Sequence, residues 1–230
     1  MSAARDGTAV LRDVRAVLFD LDGTFADTAP DMARALNAVR HARQLPPVPL
    51  SQLRPHVSNG ARGMLQAGFN LKPGDGDFPA LRDAFYAEYA ANLCIESCWF
   101  DGISTLIDEL EKREIIWGIV TNKATRFAEP LVRALGLNGR AATLVCGDTT
   151  PHAKPHPEPL LEAARRLRVD ATSCAYVGDD LRDVQAGKAA DMTTIAVAWG
   201  YLGLGESIDA WGADHVVQTP HQLLQLLAMA

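Results

Sequence analysis

"AVLFDLDGTFADTAP", residues 16–30, sets two acids, Asp20 and Asp22, directly after an apolar run, and follows them with Gly23 and Thr24. The run "VRAVLF" (14–19) is rich in β-branched and aliphatic residues and too short for a helix, so it reads as a buried strand. A turn at its end needs one acid at most. In an extended segment residues i and i+2 point to the same side. Asp20 and Asp22 can therefore address one ligand from the mouth of the strand.

Working outward, similar short runs recur: "IIWGIV" (115–120), "ATLVC" (142–146), "CAYV" (174–177), "TTIAVA" (193–198) and "DHVV" (214–217). Helical spacing separates them, as in Ile103, Leu106, Ile107 and Leu110, in Leu160, Ala164 and Leu167, and in a last helix over Gln222–Leu227. Near-continuous apolar strands alternating with helices predict an α/β protein with a parallel sheet covered on both faces. One segment breaks the alternation. From Pro30 to about Cys98 the pattern predicts helices and no strand. Thr28 is expected to cap the first helix, with Pro30 and Asp31 in its first turn and Met32, Leu36 and Val39 on one face. "QLPPVPL" should stop that helix at about Gln44. Leu81, Phe85 and Tyr89 mark another, after a turn-rich loop at 70–79. An insertion of roughly 70 residues is within the size range of a domain.

In open parallel sheets, ligands bind outside the carboxyl ends of the strands. Here those ends carry Asp20 and Asp22, then Thr121-Asn122-Lys123, then Gly178-Asp179-Asp180 with Asp183 beyond, and Lys154 lies in "HAKPHPEP" between the third and fourth strands. Asp20, Asp22 and Asp179 together form a cluster of like charges that would raise carboxylate pKa values without a counter-charge. Oxygen-only ligands at a sheet edge suit Mg²⁺, which takes a phosphate oxygen as well. Lys154 would offset the remaining phosphate charge. Singly, each feature has a plainer reading: a turn with an N-cap at Asp20–Thr24, a helix cap at Thr121-Asn122, a solvated Lys154, an ordinary "GDD" loop. All four in this order, each at a strand end, point to phosphoryl chemistry. His152 and His156 flank Lys154 as loop residues.

The net charge of −6 argues against nucleic acid as the main ligand, since such binders usually carry a basic patch. No apolar run approaches a membrane span. The first 13 residues mix Arg5, Asp6, Arg12 and Asp13 with small residues, unlike a secretory signal, so a cytoplasmic protein with reduced thiols is expected. Cys94 and Cys98 are expected as two core residues one helical turn apart. The sequence carries no signal for an oligomeric state.

With these residues in place, the sequence resembles the haloacid-dehalogenase-like (HAD) phosphatases over nearly its whole length. The first motif reads Asp20-Leu21-Asp22-Gly23-Thr24, the second Thr121, the third Lys154-Pro155-His156-Pro157, and the fourth Gly178-Asp179 with Asp183. Phe25 departs from the usual aliphatic residue, which affects packing beside the site only. "WGIVTNKATRFAEPLVRALGL" (117–137) and "VGDDLRDVQAGKAADMTTIAVAWGY" (177–201) are similar to the phosphoglycolate phosphatase group, and within it to the branch acting on N-acetylmuramic acid 6-phosphate. The resemblance implies a Rossmann-like core at 14–29 and 99–230 and a helical cap at 30–98. It implies a Mg²⁺-dependent phosphatase acting on a small phosphomonoester. Asp20 would be the nucleophile and Asp22 the general acid and base, with Lys154 assisting. Asp20, Asp22 and Asp179 would hold the metal, Thr121, Asn122 and Lys154 the phosphate, and Asp183 would stand behind them. Asp180 stays unassigned. In the expected cap loop "SNGARGM" (58–64), Gly60 and Gly63 bracket Arg62, which could clamp a substrate carboxylate. A phosphosugar mutase of the β-phosphoglucomutase type shares all four motifs. A receiver-like signalling domain would leave Asp22 without a task, and a non-catalytic binding protein would not need the intact acids.

Overall fold

In a computed structural model, residue 11 and residues 14–227 are described; the charged stretch carrying Arg5, Asp6, Arg12 and Asp13 lies outside them, as do the last three residues of the expected core. The elements run β1 (Ala16–Phe19), β2 (Ala26–Asp27), α1 (Ala29–His41), α2 (Leu50–Leu53), α3 (Gly60–Phe69), α4 (Phe78–Ala91), β3 (Cys98–Trp99), α5 (Ile103–Lys112), β4 (Ile116–Val120), α6 (Thr125–Ala134), β5 (Leu144–Val145), α7 (Glu158–Leu167), β6 (Cys174–Gly178), α8 (Leu181–Ala189), β7 (Thr193–Val197), β8 (His215–Val217) and α9 (Pro220–Leu227). Six strands form one sheet in the order β5-β4-β1-β6-β7-β8. Every neighbouring pair is parallel. β1 is central, with Phe19 opposite Ile119 on one side and Val177 on the other.

The period of two sorts side chains onto the two faces. Val17, Phe19, Ala175 and Val177 pack with Ile103, Leu106, Ile107 and Leu110 of α5 and Leu223 of α9. Ala16, Leu18, Cys174 and Tyr176 pack with Leu160, Ala163 and Ala164 of α7 and Ala186 of α8. Burying a Leu, Val or Phe side chain is worth about 1.5–3 kcal/mol, and truncating one such as Leu110 to Ala costs about 2–5 kcal/mol. Phe25 is fully buried and packs against Phe19, Trp99 and Trp117.

Between β2 and β3 the chain builds a separate apolar cluster from α1, α2, α3 and α4, including Met32, Leu36, Leu53, Met64, Phe85 and Tyr89, which meets the sheet unit through Phe127 and Tyr201. β2 and β3 pair antiparallel where the chain leaves the sheet unit and returns. Two-residue strands are too short to show alternation, so the sequence does not reveal this ribbon. Asp31, fully buried in α1, accepts from the Glu96 and Ser97 backbone N–H groups and from Ser97 Oγ, and so ties α1 to the return segment.

Three local expectations are corrected. Residues 58–64 are not a loop: a 3-10 turn over Arg54–Asn59 runs into α3, which begins at Gly60. Cys94 and Cys98 are not core neighbours on a helix, because α4 ends at Ala91. Cys94 sits in a turn with φ +63°, and Cys98 is exposed in β3. Thr28 occupies the N-cap position of α1, but its side chain makes no capping bond. No helix among the described residues is long and apolar enough to cross a membrane.

Candidate active site

The sheet delivers the acids to one edge. Asp20 continues β1, its N–H donating to Val177 O, and its side chain is 13% exposed. Asp179 follows β6 directly and is fully buried. Thr24 Oγ1 donates to Asp179 Oδ1 at 2.8 Å and the Tyr201 N–H to Oδ2 at 2.8 Å. The packing around Asp179 excludes side chains at two glycines. A Cβ on Gly23, at φ +90°, would lie 2.2 Å from Asp179 Oδ2, and one on Gly200 would lie 2.2 Å from Asp179 Cβ. Asp183 belongs to the first turn of α8, where it forms a capping box with Asp180: the Asp180 N–H donates to Asp183 Oδ2, and Asp180 Oδ1 accepts from the Arg182 N–H. Capping α8 is the task of Asp180 that the sequence left open.

Lys154 is buried among these acids. Its ammonium donates to Asp183 Oδ1 at 2.7 Å, to Tyr176 OH at 2.7 Å and to Val120 O at 3.1 Å. Those three bonds use all its protons. Asp20 Oδ1 also lies 2.9 Å from the ammonium, close enough for charge pairing, yet it has no aligned hydrogen bond and is an orphaned buried acceptor. Asn122 holds the Lys154 segment in place: its Nδ2 donates to Lys154 O and its Oδ1 accepts from Lys154 N–H, each at 2.9 Å. The Asn122 side-chain amide is thus engaged by the Lys154 backbone. Thr121 keeps its hydroxyl proton, since Oγ1 accepts from the Lys123 N–H.

Asp20, Asp179 and Asp183 offer three carboxylate oxygens within 4.8 Å of one another. Burial first, and then the neighbouring acids Asp183 and Asp22, raise the Asp20 carboxyl to about 7 against the pull of Lys154. Burial followed by Asp20 and Asp183 pushes Asp179 well above the carboxylate range. One lysine faces three carboxylates. The all-oxygen donor set and the uncompensated charge fit a divalent cation. Asp22 Oδ1 accepts from Thr28 Oγ1 at 2.5 Å and from Lys123 Nζ at 2.9 Å. Lys123 is a site residue that sequence reasoning missed. It is two residues beyond Thr121 in a segment already singled out, and that period of two was the available signal. Its ammonium also lies 4.9 Å from the centre of the Tyr89 ring.

A cavity of about 700 Å³ opens above these groups, bounded by Asp20, Asp22, Thr121 and Lys154 on the sheet side. Its far wall carries Met32, Phe78 and Tyr86 and the arginines 62 and 82, with Arg182 at the seam. Arg182 is committed to Asp180 and to Ser58 O at 2.8 Å. Arg62 has no hydrogen-bond or ion-pair partner among the described residues. Gly60 and Arg62 both line the cavity from α3. Gly63 serves packing instead, since a Cβ there would strike His56 O at 2.2 Å. His152 and His156 stack on each other near Glu158 and do not line the cavity.

The chain is similar to known proteins in sequence and in fold. The family model described as haloacid dehalogenase-like hydrolase matches residues 17–197. An N-acetylmuramic acid 6-phosphate phosphatase of Pseudomonas putida is 42% identical, over 94% of this chain and 97% of its own. A phosphoglycolate phosphatase of Xanthomonas campestris pv. campestris is 46% identical, over 93% of this chain and 96% of its own. In fold, the chain is similar to the crystal structure of a predicted phosphoglycolate phosphatase from Haemophilus somnus, with a TM-score of 0.82 at 23% identity, covering 94% of this chain and 99% of that one.

Proposed function

The chain belongs to the haloacid dehalogenase-like hydrolases and is a phosphatase of that family; from that premise we propose that it hydrolyses a carboxylate-bearing phosphomonoester through a phosphoryl group carried on Asp20. The observation that carries this reading is the orphaned Asp20 Oδ1 on the cavity wall, beside an ammonium whose protons are all spent. An oxygen held by charge and free of hydrogen bonds is available to form a bond to phosphorus.

In the first step Asp20 attacks phosphorus while Asp22 gives a proton to the departing oxygen. In the second, Asp22 takes a proton from water as that water attacks the aspartyl phosphate, releasing inorganic phosphate and restoring Asp20. Lys154 and the Thr121 hydroxyl face the charge that builds on the phosphoryl oxygens. Asp20 and Asp179 would hold Mg²⁺, with Asp183 completing the carboxylate trio and fixing Lys154. When bound, the ion supplies positive charge to the acids and the phosphoryl group. Lys123 and Thr28 orient Asp22.

The four-helix unit between β2 and β3, residues 30–98, acts as a cap that selects the substrate. A cavity of this size admits a phosphorylated sugar acid as readily as a two-carbon acid. Its two uncommitted or weakly paired arginines, Arg62 and Arg82, suit a carboxylate distant from the phosphate. N-acetylmuramic acid 6-phosphate meets both conditions and is the favoured substrate, with 2-phosphoglycolate the smaller competitor. A phosphate-release assay with the two compounds side by side decides between them: a higher kcat/KM for the sugar phosphate supports the assignment, and the reverse order refutes it. Isomerised sugar phosphate without phosphate release would mark a mutase instead.

A further inference from the structure

Thr28 stands where a helix N-cap residue normally uses its hydroxyl to accept from the helix's own N–H groups. Here the hydroxyl proton goes to Asp22 Oδ1. The Thr28 and Ala29 N–H groups both donate to the phenol oxygen of Tyr201, at 2.7 and 2.9 Å, the Ala29 N–H being shared with Asp27 Oδ1 at 3.3 Å, and the phenol oxygen lies 3.3 Å from Thr28 Oγ1. That phenol gives its own proton to Asp27 Oδ1 at 3.1 Å. A phenol has one proton and two acceptor sites, so its capacity is filled. Tyr201 comes from the far side of the sheet, after β7, and is buried. The Arg54 guanidinium lies 5.4 Å from its ring centre and pairs with Asp27.

We propose that Tyr201 is a positioning residue for Asp22. By holding the Thr28 and Ala29 N–H groups and lying 3.3 Å from Thr28 Oγ1, its phenol fixes Thr28 where the hydroxyl can hold the Asp22 carboxylate at the cavity. This rests on the reading of Asp22 as the acid and base. Without the phenol, the backbone of Thr28 loses its anchor and Oγ1 loses its neighbour. Threonine is stiff at χ1, so a shift of its backbone carries Oγ1 away from Asp22. The grip of Tyr201 on Asp179 is separable, because it uses the backbone N–H and survives loss of the phenol oxygen.

The test compares full-length Tyr201→Phe, Thr28→Val, Thr28→Ser and the Tyr201→Phe/Thr28→Val pair in Mg²⁺, with Asp22→Asn as the reference. Single-turnover phosphoenzyme formation is measured on an alkyl phosphate and on p-nitrophenyl phosphate, whose leaving group needs little protonation. Tyr201→Phe is expected to slow the alkyl phosphate about tenfold and p-nitrophenyl phosphate less, with the Mg²⁺ activation constant unchanged. Thr28→Val should copy it, Thr28→Ser should recover most of the loss, and the double variant should be no worse than the worse single one, since both cut one chain of contacts. Equal losses on both substrates, additive losses, or a lower Tm with unchanged rates would overturn the proposal. If Asp22→Asn itself ignores the leaving group, the acid role fails. If Asp22→Asn shows the dependence and Tyr201→Phe does not, only the role of Tyr201 fails.

Discussion

Replacing Lys154 with Met keeps most of the side-chain volume and deletes one buried charge. The ammonium is almost wholly buried, at 2% side-chain exposure, and its partners are Asp183, Tyr176, Val120 O and Asp20. Removing one member of such a buried charge group costs about 3–5 kcal/mol, because the surviving charges stay buried without a partner. The loss should depend on pH, with a definite sign. Asp20 already binds its proton more tightly when folded, at about 7 against 3.8. The stability from that proton is complete below the unfolded pKa and disappears as pH rises through the folded value. Without Lys154 the Asp20 carboxylate loses its nearest positive charge, so its folded pKa rises further and the variant suffers most at high pH. Urea unfolding without metal should show a deficit of about 3–5 kcal/mol at pH 8, shrinking toward pH 5, with an unchanged m-value. A deficit under about 1 kcal/mol at pH 8, or one that grows as pH falls, would refute the assignment of Lys154 as counter-ion to the acids.

Arg62→Ala should lower kcat/KM for a carboxylate-bearing phosphate about ten- to hundredfold and leave p-nitrophenyl phosphate almost unchanged; equal losses on both would place Arg62 in cap closure. Protons compete with metal at Asp20, so Mg²⁺ should raise Tm more at pH 8 than at pH 5.5, and Asp179→Asn should abolish that rise; a rise independent of pH counts against Asp20 as a ligand. Activity should vanish in excess EDTA and return with Mg²⁺.

The sheet was legible because each strand is an apolar run too short for a helix, and the first and fourth runs lead into acids. Asp20 and Asp179 could therefore be placed at one edge by position, whereas Lys154 lies in the long loop between β5 and α7. What failed to show was determined by partners distant in sequence. Thr28 looks like a cap, but its hydroxyl goes to Asp22 and its N–H to Tyr201, 173 residues away. The Asn122 side chain bonds the Lys154 backbone, 32 residues on, a contact no local pattern announces. Lys123 and Thr28 hold the Asp22 carboxylate from positions that the first motif does not mark. The ribbon of β2 and β3 has no period to detect, and α3 was hidden by the glycines at 60 and 63, which lower helix propensity.

The central claim is that Asp20 carries the phosphoryl group and Asp22 moves the protons. The direct measurement uses Asp22→Asn with p-nitrophenyl phosphate and Mg²⁺, quenched rapidly in acid and mapped by peptide mass spectrometry. The good leaving group lets the first step proceed, while loss of the base stalls the second. The account predicts a burst of p-nitrophenol near one per protein and a phosphoryl group on the peptide containing Asp20, both absent when Asp20→Asn is added. A phosphoryl group on another residue, or the same burst after Asp20→Asn is added, would contradict it.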